Sequence, residues 1–154
     1  MGTLVIGVGN ALRGDDGAGL AAAEVLRARV ANDVTVESWD GPPMELLDRW
    51  TVAERVIVID AVTSGAPVGT IHRFDASAAP LLDHVSAQTT HGVGLAQAIE
   101  LGRAFGRLPR SLVVYGIEGR EFEIGREPSE RVRRAVSAVV ERVIEEVAAD
   151  APEG

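Results

Sequence analysis

The run Arg55 to Val62 (RVIVIDAV) constrains the fold more than any other stretch of the sequence. It is short, β-branched and almost continuously apolar, which suits a strand buried on both faces, as in the middle of a parallel sheet. Such a strand needs helices above and below it. The rest of the chain supplies them. Thr3 to Val8 (TLVIGV) reads as a buried strand ending in a Gly-x-Gly-Asn turn. Gly17 to Val30 is a helix with Ala18, Ala22, Val25, Leu26 and Arg29 at helical spacing. Val34 to Ser38 is a second strand, and Gly41-Pro42-Pro43 opens a short helix through Trp50, proline being well placed at a helix start.

Gly69 to Phe74 alternates and suits an edge strand, Gly92 to Phe105 is amphipathic, and Ser111 to Glu118 (SLVVYGIE) is another buried strand. A last helix begins near Pro128-Ser129 and sets Val132, Val136, Val139, Val143 and Val147 in one apolar stripe about six turns long. The pattern predicts one α/β domain over residues 1–149 with a mostly parallel sheet, and a frayed tail over residues 150–154.

At 154 residues the chain can bury a core without disulfide or structural metal. It contains no Cys, which removes thiol chemistry, zinc fingers and iron–sulfur ligation. Its 15 basic residues, all Arg, face 23 acidic ones, for a net charge of −8. That balance repels phosphate backbones and anionic lipid, so nucleic-acid and membrane-surface partners are disfavoured. Met1 to Val8 lacks the basic region of a signal peptide, and no run of about 20 apolar residues occurs, so a soluble cytoplasmic protein is expected.

In an open α/β sheet, ligands bind beyond the carboxyl ends of the strands, where strand order reverses. The polar residues expected on that rim are Asn10, Asp15 and Asp16, then Asp60, then Thr89, Thr90 and His91, and finally Glu118. Each also has a structural explanation. Asp15 or Asp16 could cap the following helix. Asp60 could cap a turn, although a carboxylate behind VIVI costs desolvation energy unless paired or bound to a cation. A single His91 beside a helix start is more often structural than a ligand, and His72 and His84 are read as structural. Taken together, two carboxylates and an imidazole form a set suited to divalent Ni, Zn, Mn or Fe, with coordination positions left open for chemistry.

Gly7-Val8-Gly9-Asn10 also begins like the dinucleotide fingerprint, with Glu37 or Asp40 as a mimic of the ribose contact. Leu12, however, stands where Gly or Ala belongs, and two aspartates at the helix start would repel a pyrophosphate.

VIGVGNALRGDDGAGLAAAEVL (Val5 to Leu26) resembles the G-x-G-N-x-L-x-x-D-[DE]-G-x-G signature of the hydrogenase maturation endopeptidases. VIVIDAV (Val56 to Val62) is similar to that family's second block, and TTHGVGL (Thr89 to Leu95) to its His-containing third. The resemblance implies a three-layer α/β/α fold around a five-stranded sheet, with Gly69 to Phe74 as the one antiparallel strand. It also implies metal contact through Asp16, Asp60 and His91, with the shorter Asp where other members carry Glu. The implied activity is removal of a C-terminal extension from the large-subunit precursor of a nickel–iron hydrogenase, the nickel being supplied by the substrate. With no Cys and no Ser in a G-x-S-x-G context, attack by water is expected, polarised by the metal or deprotonated by Asp16 or Asp60. A monomer is expected. The same three residues would serve a non-catalytic nickel-checking module, and a small nucleotide-binding domain is the third reading.

Overall fold

Four strands run parallel: β1 (Thr3–Val8), β2 (Val34–Trp39), β3 (Arg55–Thr63) and β6 (Ser111–Glu118). β4 (Ile71–Asp75) closes one edge antiparallel to β6, giving the order β2-β1-β3-β6-β4. This is the mostly parallel five-stranded sheet that the sequence predicts, with the antiparallel strand where it was expected. A sixth strand, β5 (Gln88–Thr89), was not anticipated; two residues long, it pairs antiparallel with the end of β3. The computed structural model describes residues 2–78, 88–89 and 94–149. Thr90, His91, His84 and the 150–154 tail lie outside the described residues.

Alternate residues of β3 serve two cores, as strand pleating dictates. Ile57, Ile59 and Ala61 pack with α1 (Ala18–Arg29) and α4 (Glu130–Ala149). Val56 and Val58 pack with α2 (Leu46–Trp50) and α3 (Leu95–Ala104) on the opposite face. The result is three layers. On α4 the predicted valines face the core, Val147 at its partly buried end, together with Ala135 and Val140. On α1 the buried face is Ala18, Gly19, Ala22, Ala23 and Leu26, while Val25 is exposed. α1 lies so close to the sheet that a Cβ on Gly19 would sit 2.3 Å from the carbonyl oxygens of Val8 and Ile59, and one on Gly7 would sit 2.1 Å from that of Gly19. Only glycine fits at that contact, and Val25 is exposed because helical phase sets it at the edge of the arc that Ala18, Ala22 and Leu26 bury.

Among the described residues, no helix is long and apolar enough to cross a membrane.

Candidate functional site

From β1 the chain passes to β2 on one side and returns to β3 on the other, with α1 and α2 on opposite faces. The switch point of the fold therefore lies between the carboxyl ends of β1 and β3, where an open α/β sheet leaves a crevice. Two of the expected residues stand at that point.

Asp16 follows β1 in a single 3-10 turn, Gly14–Gly17, that leads directly into α1. The turn is closed on itself. Asp16 donates its N–H to the Arg13 carbonyl (3.1 Å) and accepts the Asn10 N–H at its own carbonyl (3.2 Å). Asn10 adds a side-chain contact, its Oδ1 accepting the Leu12 N–H at 2.9 Å. Beneath the turn, Gly9 adopts φ +155°, and a Cβ there would lie 2.0 Å from the Asp16 carbonyl oxygen. Glycine is therefore required at this position. Asp16 itself is 2% exposed.

Asp60 was expected at the end of a strand, and it lies instead inside β3, opposite Gly116 of β6. It does not cap a turn. Strand alternation turns its side chain to the α2/α3 face, and it is fully buried. Its Oδ1 accepts the Ala61 N–H at 2.8 Å. Burial, and then the neighbouring Asp16 charge, push the Asp60 carboxyl well above the usual carboxylate range, against the weaker opposing effect of the Ala61 N–H. The Asp16 charge therefore reaches Asp60 from the turn that follows β1.

Neither aspartate of the Asp15-Asp16 pair caps α1, which has no side-chain cap. Asp15 instead reaches across to the connection between β6 and α4. Its Oδ2 accepts the N–H groups of Arg120 (2.8 Å) and Glu121 (2.9 Å), and its Oδ1 that of Ser129 (2.7 Å). Burial alone would raise its pKa, but these hydrogen bonds together hold it below the usual value.

Glu118 ends β6 and is also buried. It accepts the Ser64 N–H (2.7 Å) and hydroxyl (2.6 Å), and its Oε1 lies 3.1 Å from His72 Nε2. Burial opposes ionisation, but Ser64 and His72 outweigh it and lower the Glu118 pKa. The carboxylate therefore ties the ends of β3, β4 and β6 together, and His72 has the structural role that its sequence context predicted. The partnership itself was not foreseen, because the residues are 46 and 54 positions apart.

Thr89 belongs to β5, where it is in register with Val62, two residues beyond Asp60. His91 falls outside the described residues. Among the described residues, no cluster of three or more His, Cys, Asp or Glu side chains is placed to hold a cation. Of the three implied metal contacts, Asp16 and Asp60 are the two that lie among the described residues.

The fold is that of a small doubly wound α/β protein, with two buried carboxylates, Asp16 and Asp60, near the switch point between β1 and β3. Comparison with known proteins gives the family. A family model described as "Hydrogenase maturation protease" matches residues 22–146, a span that begins beyond Asp16 and includes Asp60. The Escherichia coli protein named hydrogenase 2 maturation protease is 33% identical over 97% of this chain and 90% of its own length. The hydrogenase expression/formation protein HupD of Thiocapsa roseopersicina is 28% identical over 94% of this chain and 67% of its own. The solved hydrogenase maturating endopeptidase HybD of E. coli superposes with a TM-score of 0.80 at 27% identity, covering 98% of this chain and 94% of that one. The chain belongs to the hydrogenase maturation protease family.

Proposed function

We propose that this protein cleaves the C-terminal extension from a nickel-loaded hydrogenase large-subunit precursor in the cytoplasm, and that Asp16, Asp60 and His91 contact the precursor's nickel. The observation that carries this reading is the burial of two carboxylates, Asp16 and Asp60, at the switch point between β1 and β3, where burial and the Asp16 charge hold the Asp60 carboxyl above the usual range. Such a pair is poorly satisfied when both members are ionised, and a divalent cation relieves that repulsion. Carboxylate oxygens with one imidazole suit divalent nickel. A site with few protein ligands leaves coordination positions for ligands brought by the substrate.

The nickel travels with the substrate, and once docked it polarises a water or the scissile carbonyl. The protein's own residues do the rest. Asp60 gives up its proton when a cation approaches, and the 3-10 turn holds Asp16 beside it. One of these carboxylates then takes the proton from the attacking water. The chain has no Cys to act as nucleophile.

The deciding experiment incubates the protein with nickel-loaded and nickel-free precursor and reads the mass of the large subunit. Shortening of the loaded form alone supports the proposal. Nickel-dependent binding without shortening would make the protein a checking module, and cleavage of both forms would remove nickel from the mechanism.

A further inference from the structure

Asp15 is a buried carboxylate that the proposed chemistry does not use. Its oxygens are taken up by three backbone N–H groups from a segment more than a hundred residues away. It also donates its own N–H to the Glu121 carbonyl at 2.6 Å, and Gly14 donates to the Arg126 carbonyl at 2.9 Å. Gly125 N–H returns a bond to the Leu12 carbonyl at 2.7 Å. Residues 12–15 are thereby joined at both ends to residues 120–129. The fit is close: a Cβ on Gly119 would stand 2.8 Å from the Asp15 Cβ and 3.2 Å from the Phe122 ring. The next residue along the chain is Asp16.

We infer that Asp15 is a positioning residue that fixes the Asp16 carboxylate by fastening its 3-10 turn to the connection between β6 and α4. The inference rests on the proposed role of Asp16 as a nickel contact. The physical reasoning is local. Asp16 sits in one turn of backbone, closed by its own bonds to Arg13 and Asn10 and by the Arg13 N–H on the Asn10 carbonyl. A single turn is a short frame to set against the pull of a cation or the repulsion of Asp60. A buried, ionised carboxylate holding three N–H groups is a strong anchor, because charge-assisted bonds are about twice as strong as neutral ones. Groups that orient a metal contact in this way typically change metal affinity by roughly ten- to a hundredfold when altered.

Two variants test this. Asp15→Asn keeps the shape but turns one acceptor oxygen into an NH2 facing an N–H donor. Gly119→Ala leaves the Asp15 charge intact and displaces the side chain by contact, so it covers the case in which Asp15→Asn fails to fold. Amide hydrogen exchange is read first. In either variant, exchange at Asn10 and Asp16 should rise while the β3 amides stay protected. Unchanged exchange at Asn10 and Asp16, or an equal rise throughout the sheet, would overturn the inference.

Titration of each protein with nickel ion follows, with Asp16→Ala as reference. Weakening by about ten- to a hundredfold in the Asp15 and Gly119 variants, with retained fold, is the expected result. Unchanged affinity in these variants, where Asp16→Ala abolishes binding, would also overturn it. If Asp16→Ala leaves nickel binding unaltered, the proposed role of Asp16 fails instead, and the exchange data still decide whether Asp15 holds the turn.

Discussion

The charge of Asp16 acts on Asp60, and after burial it is the largest influence raising the Asp60 pKa. The two residues are 44 positions apart and reach the rim from different elements, one from a turn and one from the interior of a strand. Their interaction makes the site costly to hold with both groups ionised, and that cost can be measured.

Asp60→Asn should stabilise the metal-free protein at neutral pH while reducing cleavage of loaded precursor by about 100-fold or more. A carboxyl whose folded pKa is raised contributes stability that is complete below its unfolded value of 3.8 and is lost as pH rises through the folded value. Urea midpoints of wild type and variant in chelator should therefore nearly coincide in acid and separate towards pH 7. A tenfold difference in proton affinity corresponds to about 1.4 kcal/mol. A variant less stable than wild type at pH 7 would show that Asp60 is a structural residue.

Nickel affinity should fall as pH drops, because Asp60 must lose a proton to contact a cation and holds that proton to higher pH than an ordinary carboxyl. Calorimetric titration at pH 8 and pH 5.5 checks this in two ways. Proton release on binding should appear as a dependence of the heat on buffer ionisation, and Asp60→Asn should remove most of it. Heat independent of buffer would separate Asp60 from the metal.

Glu118→Gln should destabilise the fold by about 1–3 kcal/mol, since the amide nitrogen cannot accept from Ser64 or His72 in a buried setting. The Glu118 pKa is lowered, so its contribution is present above the unfolded value of 4.5 and lost as pH falls through the folded one. The wild-type advantage in urea midpoint should accordingly shrink on acidification. An advantage that persists unchanged at pH 3 would mean that charge has no part in it.

The chain has a single tyrosine, so its ionisation can be followed directly by phenolate absorbance. Burial and then Glu146, which accepts the Tyr115 hydroxyl proton, push its pKa up to about 12 despite Arg73 nearby. Stability linked to this group is complete below the unfolded value of 10.0 and lost as pH rises through about 12. Tyr115→Phe should cost about 0.5–1.5 kcal/mol at pH 7. A phenolate midpoint near 10 in the folded protein would show the hydroxyl to be solvated.

The sequence made the layered fold legible because burial on both faces leaves a plain mark: an unbroken apolar run such as that of β3 has few other uses. Asp60 stood out for the same reason, as a charge within that run. β5 left no such mark, since two residues of backbone pairing require no particular side chains. The work of Asp15 was hidden differently. Its partners are backbone N–H groups 105 to 114 positions away, and a main-chain donor has no residue identity for a reader of sequence to notice. Val25 is exposed because it lies at the edge of the helix face that Ala18, Ala22 and Leu26 bury, and apolar spacing alone does not say where that face ends.

The Gly7–Gly19 contact has a consequence for how this family can vary. Where a helix rests on a sheet through side chains, substitutions can slide it by fractions of an ångström and so retune a distance at its end. Here, at Gly7 and Gly19, α1 meets β1 and β3 backbone to backbone, where any side chain would collide. The turn that leads into α1 and carries Asp16 is thereby held against gradual adjustment from the core. What remains open to selection is the length of the arm that reaches out from it, and the choice between Asp and Glu at position 16 changes that length by one methylene while leaving the scaffold untouched.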